Sequence, residues 1–389
     1  MDRKRINELA NLYQDGLLND IVPFWTRHSI DREDGGYLTY LDRDGSVYCT
    51  DKPIWLQGRM IWMFSRLYND VEQRSEWLDL ARHGLDFLLK SGFDSDGRMF
   101  FQVDKTGRPL RKREYLFSES FAVMALAEYA LATGDDSMRQ KAADLFDLML
   151  RYHETPGLLK SKDFAGVRPA KSHAMPMILL AVSQVIRRVD DRPIYAETAD
   201  KYMSQIFDHF CKPEMGALLE MVGPNGEFID TPDGRCINPG HAIETSWFIM
   251  EEGRSRGDMS LAMKGLPILE WSLERGWDRE YAGIVYYADV ADKPCIQYEW
   301  DMKLWWPHTE ALYATLLAHH LTGDLKWLTW YERIHEYTFS HFPDREYGEW
   351  YGYLHRDGTV SHRLKGNCWK GPFHISRCQM LCSKLLREM

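Results

Sequence analysis

The chain has 389 residues, 44% of them apolar, enough for a sizeable core and enough to exclude wholesale disorder. Its net charge of −10, with no basic run to reverse it locally, excludes a nucleic-acid surface. Seven cysteines at scattered positions, with no Cys-x-x-Cys spacing, imply no structural zinc and fit free thiols in a reducing compartment.

The opening stretch Met1-Asp2-Arg3-Lys4-Arg5-Ile6-Asn7-Glu8-Leu9 is too charged to begin a secretory signal, and no apolar run reaches the length of a membrane span. A soluble cytoplasmic protein is expected, with no membrane partner. From Gly36 the chain falls into a repeat. Alternating segments with turn residues read as β-hairpins at Gly36 to Tyr48, turning at Asp44-Gly45, and at Gly97 to Leu110, turning near Thr106-Gly107. Two more run from Gly216 to Phe228, turning at Asn225-Gly226, and from Tyr351 to Val360, turning at Asp357-Gly358. Weaker members at Gly157 to Pro169 and Gly283 to Pro294 bring the number to six, spaced by roughly sixty residues.

Helical patterns fill the intervals. Trp77, Leu80, Ala81, Leu85 and Leu88 follow the i, i+3, i+4 rule, as do Ala142, Leu145, Phe146 and Met149. Gly134-Asp135 and Gly323-Asp324 punctuate neighbouring helices. A hairpin and two helices, made six times, cannot bury its faces unless neighbours stack, and a ring satisfies every repeat without caps. The expected architecture is all-α: an (α/α)6 barrel with short hairpins at one end, spanning residues 1–389 as one domain. Two α-domains end to end are the alternative.

In each unit the helix after the hairpin opens with a polar residue: Arg59, Glu119, His173, His241, His308 and His374. Equivalent positions in a closed ring point to one place, so these six side chains are expected to rim a single cavity. Trp55-Leu56-Gln57-Gly58-Arg59 buries an arginine among aromatics, where it either meets an internal carboxylate or holds an oxygen-rich ligand. Asn238-Pro239-Gly240-His241-Ala242-Ile243-Glu244 places His241 and Glu244 in a first helical turn, where the carboxylate can fix the imidazole tautomer. Lys303-Leu304-Trp305-Trp306-Pro307-His308-Thr309-Glu310 sets indoles among charges, as a hydroxylated ligand requires. Pro372-Phe373-His374-Ile375-Ser376-Arg377 repeats the pattern, with Arg377 one turn after His374.

His241, Glu244, His308 and His374 are numerous enough to ligate a metal, but the tight His-x-x-x-His pair common to catalytic zinc is missing, so no metal is expected. Glu244 and Glu310 would serve glycoside hydrolysis, against which the surplus of histidines counts. No nucleophile elbow or phosphate-cradling glycine loop is present.

From residue 20 to about 380 the chain resembles the N-acylglucosamine 2-epimerase family, most strongly at Trp55 to Arg59, Asn238 to His241, Lys303 to His308, Tyr347 to Trp350 and Phe373 to Arg377. The resemblance implies an (α/α)6 barrel, an isomerase interconverting N-acetylglucosamine and N-acetylmannosamine, and proton transfer at C2 of the ring-opened sugar. It casts His374 and His241 as the acid/base pair. It places Arg59 on the sugar oxygens and makes Glu310 and Arg377 substrate-orienting, with Glu244 positioning His241. His173 and Trp306 complete the expected sugar-binding set together with His308. No cofactor is implied; ATP as an allosteric effector and a homodimeric state are expected from the resemblance alone. His173 departs from the vertebrate pattern and resembles related mannose isomerases, which leaves an aldose–ketose isomerase, or another sugar 2-epimerase of the superfamily, as the alternative.

Overall fold

The computed structural model describes residues 1–113, 115–160 and 166–389. Twelve helices of twelve residues or more, counted among those residues, build the ring. In chain order they are α1 (Arg3–Asp15), α2 (Ile54–Asp70), α3 (Ser75–Ser91), α4 (Phe117–Thr133), α5 (Asp136–Glu154) and α6 (Ala174–Ile186). Then follow α7 (Pro193–Gln205), α8 (Pro239–Arg256), α9 (Gly265–Gly276), α10 (Trp305–Thr322), α11 (Leu325–His341) and α12 (Phe373–Glu388).

Composition decides which helices lie inside. α4 is buried continuously from Ser118 to Ala130 and α10 from Trp305 to Ala318, so neither has a wet face. α3 instead buries one stripe, Trp77, Leu80, Ala81, Gly84, Leu85 and Leu88, and leaves the other face to solvent. The inner ring runs α2, α4, α6, α8, α10, α12 and back to α2, each packed on the next. Outer partners follow in sequence, α3 on α2, α5 on α4, α7 on α6, α9 on α8 and α11 on α10. The sixth outer position, beside α12, is filled by α1 from the other end of the chain order.

Caps hold these helices where the sequence marks them. Asp135 accepts the backbone N–H of Ser137 and Met138, Asp324 that of Lys326, and Asn238 that of His241. Pro307 is the third residue of α10, not its first, which costs nothing because the first N–H groups of a helix have no intrahelical partner.

The hairpin turns form where expected, with Gly45, Gly107, Gly226 and Gly358 all at positive φ. The ladders differ. Two hairpins pair internally, Tyr40–Leu41 with Val47–Cys49 and Gln102–Val103 with Pro109–Arg111. Elsewhere strands reach the neighbouring repeat: Met221–Val222 pairs with Lys171–Ser172, Lys303–Leu304 with Tyr353–Leu354, and Cys236–Ile237 with Ala288–Asp289. Such cross-pairing stitches adjacent units of the ring together. The segment Gly157 to Pro169 lies partly outside the described residues.

A second device recurs beneath the hairpins. Asp31-Arg32-Glu33, Asp278-Arg279-Glu280 and Asp344-Arg345-Glu346 each open a turn whose aspartate accepts the N–H two residues on. Each aspartate also meets a fully buried lysine, Lys52 at 2.7 Å, Lys303 at 2.7 Å and Lys365 at 2.9 Å. Glu349, at φ 57°, is buried against Lys370 at 2.5 Å beside the third of these.

Candidate active site

The first turns of the inner helices converge at the hairpin end, and the side chains there fall into two clusters that share one indole. Trp306 of α10 lies 5.3 Å from the His241 ring and 5.7 Å from the His374 ring, centroid to centroid. Its close approach to α8 requires Gly240, where a Cβ would stand 2.4 Å from the indole.

The first cluster surrounds His374. Its Nδ1 lies 2.8 Å from Glu310 Oε1, and the same oxygen is 2.8 Å from Arg377. Trp247 donates its Nε1–H to Glu310 Oε2 at 2.9 Å. With the carboxylate accepting on Nδ1, the proton of neutral His374 is held on that nitrogen and Nε2 is the basic one. Burial pushes the His374 imidazole well below its ordinary value, and the positive charges of Arg59 and Arg377 push the same way. His374 is therefore a neutral ring near pH 7, suited to take a proton. Burial also pulls the Glu310 carboxyl upward, against Arg377.

Arg377 completes this cluster. It is hydrogen-bonded to Glu244 as well as to Glu310, so the guanidinium stands between two carboxylates. Glu244, Glu310 and His374 come close enough to share an ion, and the positive charge among them is that of Arg377. Glu244 thus holds Arg377; its recorded side-chain bond does not go to His241.

The second cluster surrounds His241. Its Nδ1 lies 3.1 and 3.2 Å from the two oxygens of Glu220, on the segment between Ala217–Leu218 and Met221–Val222. Burial disfavours the charged imidazole, but the Glu220 carboxylate outweighs it and His241 is raised above its ordinary value. Glu220 is in turn held well below the carboxylate range: burial opposes this, and the facing imidazoles overcome it, His241 through its charge and hydrogen bonds and His173 from behind. The two histidines are pushed apart, one toward neutral and one toward protonated, which is how a pair divides the roles of base and acid.

Arg59 sits between the rings of Phe121, Trp55 and Phe373, 4.1, 4.4 and 4.8 Å from their centroids. Among the described residues no carboxylate lies within ion-pair distance of it, and its Nε has no hydrogen-bond partner. Burial takes its pKa down to about 9. An uncompensated cation caged by aromatics is prepared for an anionic or oxygen-rich ligand.

Not every expected residue joins these clusters. His308 is fully buried, its Nε2 accepting the Ile284 N–H at 2.9 Å and its Nδ1 2.6 Å from the Leu304 carbonyl. Both nitrogens are spent on backbone, and burial drops its pKa to about 3. Glu119 accepts Arg98 Nε at 2.6 Å and the Met99 N–H at 2.9 Å, again inside the wall. His173 has no exposed surface and lies behind Glu220. The expectation of six side chains rimming one cavity is therefore corrected: an ion pair and the backbone satisfy Glu119 and His308 inside the wall, and His173 is buried against Thr245 behind Glu220. Glu220 is the residue that sequence reasoning missed. Its signal was a lone acid in the otherwise apolar Ala217-Leu218-Leu219-Glu220-Met221-Val222.

A separate cavity of about 700 Å³ opens at the other end of the inner helices. Of the residues above it is touched only by Trp247 and Arg377, and its arginines, Arg66, Arg187, Arg188, Arg254 and Arg256, all meet carboxylates.

Residues 36–378 match the family model described as N-acylglucosamine 2-epimerase. The chain belongs to that family. The N-acylglucosamine 2-epimerase of Bos taurus is 39% identical over 381 residues, covering 96% of this chain and 90% of the bovine one. Among solved structures, cellobiose 2-epimerase from Bacillus thermoamylovorans superposes with a TM-score of 0.85 at 23% identity, covering 98% of this chain and all of that one. A D-mannose isomerase gives 0.82 at 19% identity, with 100% and 98% covered. These two likenesses establish the (α/α)6 fold. Family membership makes the chain a sugar 2-epimerase, an isomerase.

Proposed function

We propose that this sugar 2-epimerase interconverts N-acetylglucosamine and N-acetylmannosamine, with His374 and His241 moving the C2 proton. The observation that carries the reading is the pair of imidazoles on Trp306, each oriented through Nδ1 by its own carboxylate and driven to opposite protonation states. In the ring-opened aldehyde, neutral His374 takes the C2 proton through Nε2. The C2–H electrons become the C1–C2 double bond, and the carbonyl π pair moves to the C1 oxygen. Arg59, without an ion-pair partner among the described residues, stabilises the C1 oxyanion of the resulting enolate. Protonated His241 then returns a proton to the opposite face of C2. The reverse reaction exchanges the roles. Nothing is oxidised or reduced, and no metal or cofactor is required.

The test is epimerisation of N-acetylmannosamine in deuterium oxide. One solvent deuteron is expected at C2 of the product, and unlabelled product would refute the mechanism. The alternative, a mannose–fructose isomerase, rests on the resemblance of His173 to the histidine of related mannose isomerases; here that ring is buried behind Glu220, which favours the epimerase reading. Fructose formed from mannose at a comparable rate would restore it. Among the described residues no helix is long and apolar enough to cross a membrane. A cytoplasmic homodimer, with ATP as an allosteric effector, is proposed on family grounds. Light scattering on the purified protein, fractionation of the cell and activity titrated with ATP test these points.

A further inference from the structure

His173 is a buried ionisable group that takes no part in the proton transfers above, and it lies against the half-buried Glu220 that faces His241. The backbone of Glu220 is clamped on both sides: its carbonyl accepts the His173 N–H at 3.0 Å, and its own N–H reaches the Cys236 carbonyl at 3.2 Å. The main chain that carries the carboxylate is therefore fixed beneath His241, and the side chain is left to be oriented by what it meets. The His173 ring packs on Phe210 at 5.5 Å, and its Nε2 lies 3.0 Å from Thr245 Oγ1, one turn beyond His241 on α8. Its Nδ1 has no hydrogen-bond partner and lies 3.6 Å from Glu220 Oε1. Two tautomers are conceivable. A proton on Nε2 would aim the Nδ1 lone pair at a carboxylate, whereas Thr245 donating to Nε2 aims an Nδ1–H at it. Electrostatics selects the second.

We infer that Glu220 is a positioning residue that keeps a proton on His241, and that His173 acts through Glu220, orienting its carboxylate from behind without touching the sugar. The inference rests on the epimerase reading above. Groups facing His241 are Glu220 from the hairpin segment, Glu244 from its own helix and His374 from α12. Tyr286, Tyr287 and Cys236 surround Glu220 on its other sides. Of these, Glu220 alone is recorded as hydrogen-bonded to the His241 ring. Withdrawing its charge lowers the affinity of His241 for its proton, so the proton is lost at a lower pH.

The experiment measures kcat and KM against pH for three isosteric variants, with C2 deuterium incorporation recorded for each. Glu220→Gln is expected to lose roughly 10²-fold in kcat near pH 7. Its alkaline limb moves to lower pH while the acid limb and KM stay in place. His173→Gln keeps an amide near Nε2 for Thr245 but offers nothing toward Glu220, and its alkaline limb shifts in the same direction by less. His173→Asn places an N–H near Nδ1 and stays close to the wild type. A rise in KM with the limbs unmoved would show His173 on the sugar and overturn the inference. Equal losses in His173→Gln and His173→Asn, or an unshifted Glu220→Gln, overturn it as well. Label absent from the wild-type product refutes the epimerase mechanism itself, whereas label present with unshifted limbs refutes only this inference.

Discussion

Arg59→Met separates what the site needs from what the fold tolerates. The guanidinium is only 8% exposed, without a carboxylate partner among the described residues, and burial takes its pKa to about 9. Measured against an ordinary arginine, at roughly 12.5, a drop of that size costs the folded state on the order of 5 kcal/mol. The three rings around it return about 0.5–2 kcal/mol each. Methionine fills a similar cross-section and makes sulfur–aromatic contacts, so the variant is expected to be at least as stable as the wild type, by up to about 3 kcal/mol. Because the depressed group is a base, its penalty is fully present below the folded pKa and fades only as pH rises beyond it. The gain is thus constant from pH 6 to 8. Urea unfolding followed by tryptophan fluorescence reads it, with the slope checked for a shared unfolding mechanism. Turnover is expected to fall about 10²–10³-fold, as when a preorganised donor to an oxyanion is removed. A variant less stable than the wild type would show that Arg59 is already compensated in the free protein. Near-normal turnover would show that it does not stabilise the enolate.

Three further expectations follow from the same geometry. His308→Ala strips the Ile284 N–H of its acceptor in a sealed interior and is expected to cost about 1–3 kcal/mol in unfolding free energy, with kcat within about threefold of normal; a large kcat loss at unchanged stability would return His308 to the site. Lys370→Met leaves Glu349 buried and charged, and is expected to cost about 3–5 kcal/mol, read by urea unfolding. The pH–rate profile is expected to be a broad bell, because His374 must be neutral and His241 protonated. With His374 lowered and His241 raised, the acid limb falls below the ordinary histidine range and the alkaline limb above it. A bell centred on one narrow pH would contradict the opposed shifts.

Much of the architecture was legible because periodicity survives in the sequence. Turn glycines at Asp44-Gly45 and Asp357-Gly358, and the Asn238-Pro239 start of α8, are local signals with one physical solution each. Strand pairing was less so, because a two-residue strand carries no register of its own and Met221–Val222 finds Lys171–Ser172 only once the ring has closed. At the site, the repeat singled out His241, His374 and Arg59 as candidates but could not tell a histidine with a free ring nitrogen from one whose nitrogens a backbone had claimed. His308 shows the difference: Ile284, the donor that claims it, is 24 residues away. Glu220 was hidden for a related reason, since its importance lies in what stands opposite it.

Arg59, Glu119, His173, His241, His308 and His374 all stand at the entries of inner helices, yet they have separate fates: a caged cation, a salt bridge in the wall, a buried ring on a threonine, two titrating rings and a clamp on a loop. Six stations of one design, only some of them given to chemistry, amount to held capacity. The ring asks only that each station be satisfied, and a wall contact and a titrating centre satisfy it equally well.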